Sequence, residues 1–212
     1  PMGNSDGSIW VTFNGEIYNY KAIREQLERK GHKFNSATDT EVIVYAYQEY
    51  GEKCVELFDG MFAFALWDVK QKKLVLARDP LGKKPLYYSV VGGQIFFASE
   101  IKALLENPEL KRRMNKEAVG QLLNFRAVLG KETLFDGIYK VLPGSYLVWQ
   151  DGKKKEQKYW QLNVTEEISD EEAAAKKFMQ LLDAAVEKRL MSDVPLGTYL
   201  SGGVDSSAIT AL

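Results

Sequence analysis

Cysteine occurs once in this chain of 212 residues, at Cys54. A single thiol excludes an intramolecular disulfide framework and suits a reducing compartment. No apolar run approaches the roughly 18 residues that a membrane span requires. The opening "PMGNSDGS" is polar and contains no signal-peptide core, although it begins with proline rather than methionine. Neither sign of charge dominates: the formal net charge is −1, so no global field recruits nucleic acid or anionic lipid. The one basic run, "KKKEQK" at 153–158, follows the turn dipeptide Asp151-Gly152 and reads as a solvated hairpin arm.

What is present is a globular chain, 45% hydrophobic and 27% charged, long enough to bury a core without metals or disulfides. "SIWVTFNGEIYNY" (8–20) predicts a strand entering a turn at Asn14-Gly15. "KAIREQLERKG" (21–31) predicts a surface helix stopped by Gly31. Thr38-Asp39-Thr40-Glu41 has the capping-box form and opens a mostly apolar helix. From Gly60, "MFAFALWDV", "KLVLARD", "PLYYSVV" and "QIFFAS" read as consecutive members of one antiparallel sheet, covered on both faces. Two short helices, "EIKALLEN" and "NKEAVGQLLNF", precede a last hairpin. Composition turns polar and acidic at 161–170, where Ser169 and Glu172 repeat the capping-box form. The helix that follows carries Phe178, Leu181, Leu182, Ala185 and Val186 at helical spacing and ends on cationic residues. A strand, "VPLGTYL", a glycine loop and a helix start, "SSAITAL", then predict the opening of a parallel α/β unit.

Two constellations carry chemistry. In "LSGGVDSS" (200–207), adjacent glycines let the backbone approach a ligand, and loop N–H groups with a helix N-terminus make an anion cradle. Ser201, Ser206 and Ser207 add hydroxyls, and Asp205 caps the helix or helps to hold Mg²⁺. The loop lacks the lysine of a Walker motif. A strand-to-helix turn with ordinary caps is the bland alternative. The segment resembles the pyrophosphate loop of the ATP pyrophosphatases.

The second constellation is an ordered set: "FNGEIYNY" (13–20), "TDTEV" (38–42), "GMFAFALWD" (60–68), "ARDPLGKKPLYY" (77–88) and "FASEIKAL" (97–104). Together with the loop, these motifs resemble glutamine-hydrolysing asparagine synthetase along essentially the whole chain. The resemblance implies an α+β fold over residues 1–160: an Ntn-hydrolase-type αββα sandwich, a type-2 glutamine amidotransferase domain lacking its N-terminus. Residues 161–212 would begin the ATP-pyrophosphatase domain. It further implies a cytoplasmic enzyme using ATP and Mg²⁺. Ammonia released from glutamine would meet β-aspartyl-AMP to give asparagine, AMP and pyrophosphate. Its partners would be the small molecules glutamine, aspartate and ATP, with no nucleic acid and no membrane, and a homodimer is left open.

By the same resemblance, the Asn14 side chain and the Gly15 N–H stabilise the tetrahedral oxyanion of amide hydrolysis. Glu16 and Asp39 grip the glutamine α-ammonium and neighbouring polar atoms. Leu200, Ser201, Gly202, Gly203, Val204, Asp205, Ser206 and Ser207 contact ATP and pyrophosphate, with Asp205 the metal ligand. The family nucleophile is an N-terminal cysteine, which Cys54 in "GEKCVELF" does not match; Cys54 reads as a core residue. His32 reads as a helix-end capping residue. Pro80 and Lys83 depart from the commoner family spelling. The resemblance therefore implies an internal piece of a longer protein that by itself catalyses neither half-reaction. Two other readings share parts of the pattern. β-Lactam synthetase-like ligases do not need the intact "NGE" and "TDTE" motifs, and a non-catalytic glutaminase-like scaffold does not need an intact "SGGVDSS".

Overall fold

The computed structural model describes residues 1–165, 168–192 and 194–212. It divides into two compact units, Pro1–Gln161 and Leu162–Leu212.

The first unit is built on a six-stranded antiparallel sheet. Its strands are β1 (Met2–Gly3), β2 (Ile9–Ile17), β3 (Gly60–Asp68), β4 (Lys73–Arg78), β8 (Ser145–Gln150) and β9 (Lys153–Lys158), paired in that order. A second sheet of three strands has the order β6 (Gln94–Ala98), β5 (Tyr87–Val91), β7 (Ile138–Lys140). Side-chain alternation sorts the large sheet into two faces. Ile9, Val11, Ile17, Phe62, Phe64, Leu66, Val75 and Ala77 face helices α1 (Tyr20–Arg29) and α2 (Asp39–Tyr50) in one core. Ala63, Ala65, Leu74, Leu76 and Leu147 face Leu86, Tyr88 and Val141 in a second core between the sheets. Beyond the small sheet, Leu104, Leu110 and Ile138 form a third, beside α3 (Ile101–Leu104). The layers therefore run helix, sheet, sheet, helix, the αββα sandwich that the family resemblance implies. Helix α4 (Lys116–Phe125) completes this unit.

Several expectations need correction. The four strands after Gly60 do not share a sheet: β3 and β4 belong to the large one, β5 and β6 to the small one. The cause is the segment 79–86, in which Asp79 leaves the β4 ladder and the chain crosses between layers. Asn14-Gly15 is not a turn. Strand β2 runs unbroken to Ile17, with Asn14 opposite Ala63 and Gly15 opposite Phe62. A type I′ turn needs positive φ at both residues, and only Gly15 has it, at 154°. The dipeptide that does make a hairpin turn is Asp151-Gly152, with φ of 50° and 70° between β8 and β9.

Both capping boxes fail in their hydrogen bonds, although both helices start at or near the expected place. Thr38 precedes α2 without a side-chain cap bond. Glu41 instead reaches back to the N–H groups of Asn35 and Ser36, at 2.8 and 2.7 Å. Helix α5 (Glu171–Arg189) is capped by Asp170, not Ser169, through a 2.7 Å bond from the Ala173 N–H. The helix starts one residue later than a Ser169 box requires, which puts Asp170, an equally good cap, at the N-cap position. The "KKKEQK" arm is exposed as strand β9, although Lys154 and Glu156 both bond the Tyr88 hydroxyl.

In the second unit, α5 and α6 (Val204–Ala211) are helical, but "VPLGTYL" forms no strand. A strand needs a ladder partner, and no described residue of 162–212 is in one.

Candidate active site

Strand β2 positions the first group of residues. Its buried alternation turns Ile9, Val11 and Ile17 towards the helices, so Thr12, Asn14 and Glu16 project from the opposite face. Thr12 and Asn14 line a cavity of about 190 Å³ with Ala63, Ala65, Leu86, Phe97, Ala98 and Ser99, between the two sheets. The Asn14 amide and the Glu16 carboxylate have no hydrogen-bond partner among the described residues. Gly15 is required where it stands: a Cβ there would collide with the Met61 carbonyl and Phe62 Cα, in a backbone conformation that L side chains rarely adopt.

Asp39 joins this group from the start of α2. Its Oδ2 accepts the Ile17 N–H at 2.9 Å, fixing the helix N-terminus against the end of β2. The other oxygen lies 3.4 Å from the Thr40 hydroxyl. The loop before Asp39 is clamped from both sides. Glu41, 2% exposed, holds the N–H groups of Asn35 and Ser36. Arg24 donates to the Ser36 carbonyl at 2.6 Å and lies over the Phe34 ring. The structure thus brings Asn14, Gly15, Glu16 and Asp39 to one end of the large sheet.

The residues of "ARDPLGKKP" support the same end, and the sequence reading gave them no individual role. Arg78 donates to the carbonyls of Gly82, Lys84 and Val141. Burial pulls its guanidinium below the usual value, and the neighbouring Asp79 charge opposes that shift. Asp79, 1% exposed, accepts four main-chain N–H groups, from Phe62, Leu81, Lys83 and Lys84. The available signal was a charged pair ending an apolar strand just before proline. The Lys83 side chain is exposed, so its departure from the family spelling leaves this clasp intact.

Cys54 lies in the 3-10 turn Gly51–Leu57, packed in the helix-side core. Burial, reinforced by the Glu52 charge, pushes its thiol well above the ordinary range, which is the opposite of nucleophile activation. His32 does not cap α1 with its ring. The ring bonds Glu49 at 2.8 Å and lies 5.1 Å from that of Tyr45, while the His32 main-chain N–H bonds the Leu27 carbonyl.

In the second unit, Leu200 and Ser201 lead into the glycine pair. Gly202 adopts φ of 81° and Gly203 is the N-cap of α6, with no side-chain cap bond. The Ser201 and Ser206 hydroxyls lie 3.0 Å apart, and Ser206 donates to the Gly203 carbonyl. Val204, Asp205, Ser206 and Ser207 form the first turn of α6. An open loop with hydroxyls and free helix N–H groups fits a diphosphate. Asp205 is a single carboxylate, and no group of three metal-ligating side chains occurs among the described residues. A Mg²⁺ ion there would take most of its ligands from phosphate and water.

The αββα sandwich sets the class of fold. Residues 1–160 match the family model of the glutamine amidotransferase domain, and the chain belongs to that family. Within it, the particular likeness is to asparagine synthetases. Residues 177–212 match the asparagine synthase model. The chain is 39% identical over 213 residues to asparagine synthetase [glutamine-hydrolyzing] 1 of Bacillus subtilis, covering all of this chain and 34% of that protein. It is 35% identical over 221 residues to amidase chyE of Penicillium rubens, covering all of this chain and 32% of that protein. Among solved structures, glutamine phosphoribosylpyrophosphate amidotransferase of B. subtilis aligns with a TM-score of 0.52 at 23% identity, over 77% of this chain and 31% of that one, a likeness of fold. The chain spans about a third of the length of the curated relatives it matches. No helix among the described residues is long and apolar enough to cross a membrane.

Proposed function

We propose that the protein containing this chain hydrolyses glutamine and uses the ammonia to amidate aspartate, forming asparagine, AMP and pyrophosphate from ATP through β-aspartyl-AMP. The observation that carries this reading is the end of β2, where an unpartnered Asn14 amide stands beside Gly15 with Asp39 bonded two residues further on.

In the glutaminase step, the Asn14 amide and the Gly15 N–H donate to the oxyanion as the glutamine carboxamide becomes tetrahedral. Such donors act most strongly where water is excluded and their geometry is fixed beforehand. Glu16 and Asp39 hold the glutamine α-ammonium by charge. A thiolate attacks the carboxamide carbon; Cys54 is not that thiol. In the synthetase step, the N–H groups of Gly202 and Gly203, the hydroxyls of Ser201, Ser206 and Ser207, and the backbone of Leu200 and Val204 hold the ATP phosphates. Asp205 supplies one ligand to the accompanying Mg²⁺. The free, buried Cys54 thiol suits a reducing compartment, and we assign the protein to the cytoplasm.

A second reading keeps the glutaminase half and changes the acceptor. It is favoured by the 35% identity to a protein named as an amidase. Pyrophosphate release by the full-length protein, compared across aspartate and other carboxylates, separates the two. Release specific to aspartate supports asparagine synthesis; release with another carboxylate and none with aspartate overturns it.

A further inference from the structure

The last rung between β3 and β4 is closed by a side chain. Ala63 pairs with Arg78 in regular register. At the next position the Asp79 N–H donates to the Phe62 carbonyl at 2.8 Å. The Phe62 N–H, however, goes to the Asp79 carboxylate at 3.2 Å. The Asp79 carbonyl is turned instead towards the N–H groups of Gly82 and Gly144, at 3.1 and 2.9 Å. The carboxylate thus takes the place of a main-chain oxygen just where the chain leaves the sheet. Its three further bonds, from Leu81, Lys83 and Lys84, hold it there at 2.9 to 3.1 Å.

Phe62 lies directly opposite Gly15. In an antiparallel ladder, a residue whose N–H and C=O both serve one neighbour makes a non-hydrogen-bonded pair with the other. Gly15 therefore directs its own N–H away from β3, towards the outer edge of β2. Ile17, two residues on, shows the same direction, because its N–H reaches Asp39 on that edge. Among the described residues, strand β1 pairs with Trp10 and Val11 of β2.

We infer that Asp79 is a positioning residue of the glutaminase site: by holding the main chain of Phe62 it fixes the strand on which Gly15 rests and keeps the Gly15 N–H aimed outwards as an oxyanion donor. This rests on the glutaminase reading proposed above. Asp79 touches no substrate; it acts through Phe62.

Asp79→Asn in the full-length protein removes one of the two acceptor oxygens and sets an amide N–H₂ against buried N–H donors. Glutamine-dependent kcat should fall about tenfold to 10²-fold, as when a reacting group is misplaced by about 1 Å, with KM for glutamine altered less than about threefold. Ammonia-dependent synthesis should be unchanged. Unchanged kcat in the folded variant, or equal loss with glutamine and ammonia, overturns the assignment. Asn14→Ala is measured alongside. If it spares glutamine hydrolysis, the glutaminase reading fails and the inference with it; if it lowers hydrolysis while Asp79→Asn does not, only the positioning role fails. Should Asp79→Asn not fold, amide hydrogen exchange in the unaltered full-length protein decides. The Phe62 amide should be protected and the Gly15 amide should exchange at least about 10²-fold faster. Equal protection of the two overturns the inference.

Discussion

Ile17 donates its main-chain N–H to Asp39 Oδ2 at 2.9 Å, across 22 residues of sequence. The bond ties the last residue of β2 to the first residue of α2, so the carboxylate that would bind glutamine is also a joint of the fold. Asp39→Asn keeps an acceptor oxygen and loses the charge. It should leave stability within about 1 kcal/mol, the worth of one hydrogen bond, while KM for glutamine rises about tenfold. Thermal melts with glutaminase kinetics check both halves; a large loss of stability with an unchanged KM would make Asp39 a structural residue only.

Gly15 offers a sharper mutation. A methyl group there meets the Met61 carbonyl in a conformation disfavoured for alanine. Gly15→Ala should cost about 2–3 kcal/mol and remove glutamine hydrolysis, because the strand must shift and carry the donor N–H with it. Denaturant unfolding measures the first effect. A cost near zero would mean that β2 and β3 do not approach as closely as they do here.

The Lys73–Glu52 pair, at 2.6 Å and largely shielded from water, gives a pH dependence. Burial alone would raise the Glu52 carboxyl, but the Lys73 hydrogen bond, a main-chain bond and the Lys73 charge outweigh it and hold the carboxyl below its ordinary value. A carboxyl depressed in the folded state stabilises fully above its unfolded value, about 4.3, and loses that contribution as pH falls through the lower folded value. Glu52→Gln should therefore destabilise more at pH 7 than at pH 3, by an amount that solvent screening of the partly exposed carboxylate holds to about 1 kcal/mol. Urea unfolding at the two pH values is the test, and a difference independent of pH would contradict it.

Cys54 provides the negative control. Its thiol is buried and shifted upwards, so iodoacetamide at pH 8 should leave it unmodified in the native protein. Cys54→Ala should cost about 1 kcal/mol of packing and leave glutamine hydrolysis intact. Loss of hydrolysis without loss of stability would reopen its role.

The sequence made helices α1 and α2 legible, because Ile23 and Leu27, or the apolar run after Glu41, follow burial directly; the layering came from the family resemblance. The sequence did not separate the two sheets. Nothing in "KLVLARDPLGKKPLYY" says locally that Asp79 will bond four main-chain N–H groups and carry the chain from one layer to the next. Asn14-Gly15 misled for a related reason: turn propensity describes a dipeptide in isolation, whereas here the glycine is set by the close approach of β3. "VPLGTYL" has strand composition but no described neighbour to pair with, and propensity alone cannot supply one. Asn14, Gly15, Glu16 and Asp39 are candidates by motif resemblance alone, and that they lie at one end of the sheet required the fold. Asp79 and Glu41, which make no contact that a motif would advertise, required the hydrogen bonds themselves.

The claim on which the rest stands is that the end of β2 stabilises an oxyanion. It is tested most directly by Asn14→Ala in the full-length protein, assayed in parallel with glutamine and with ammonia as nitrogen donor. Glutamine-dependent turnover should fall about 10²- to 10³-fold, as on removing one oxyanion donor, while ammonia-dependent turnover is spared. Equal loss of both, or no loss of either, would contradict it.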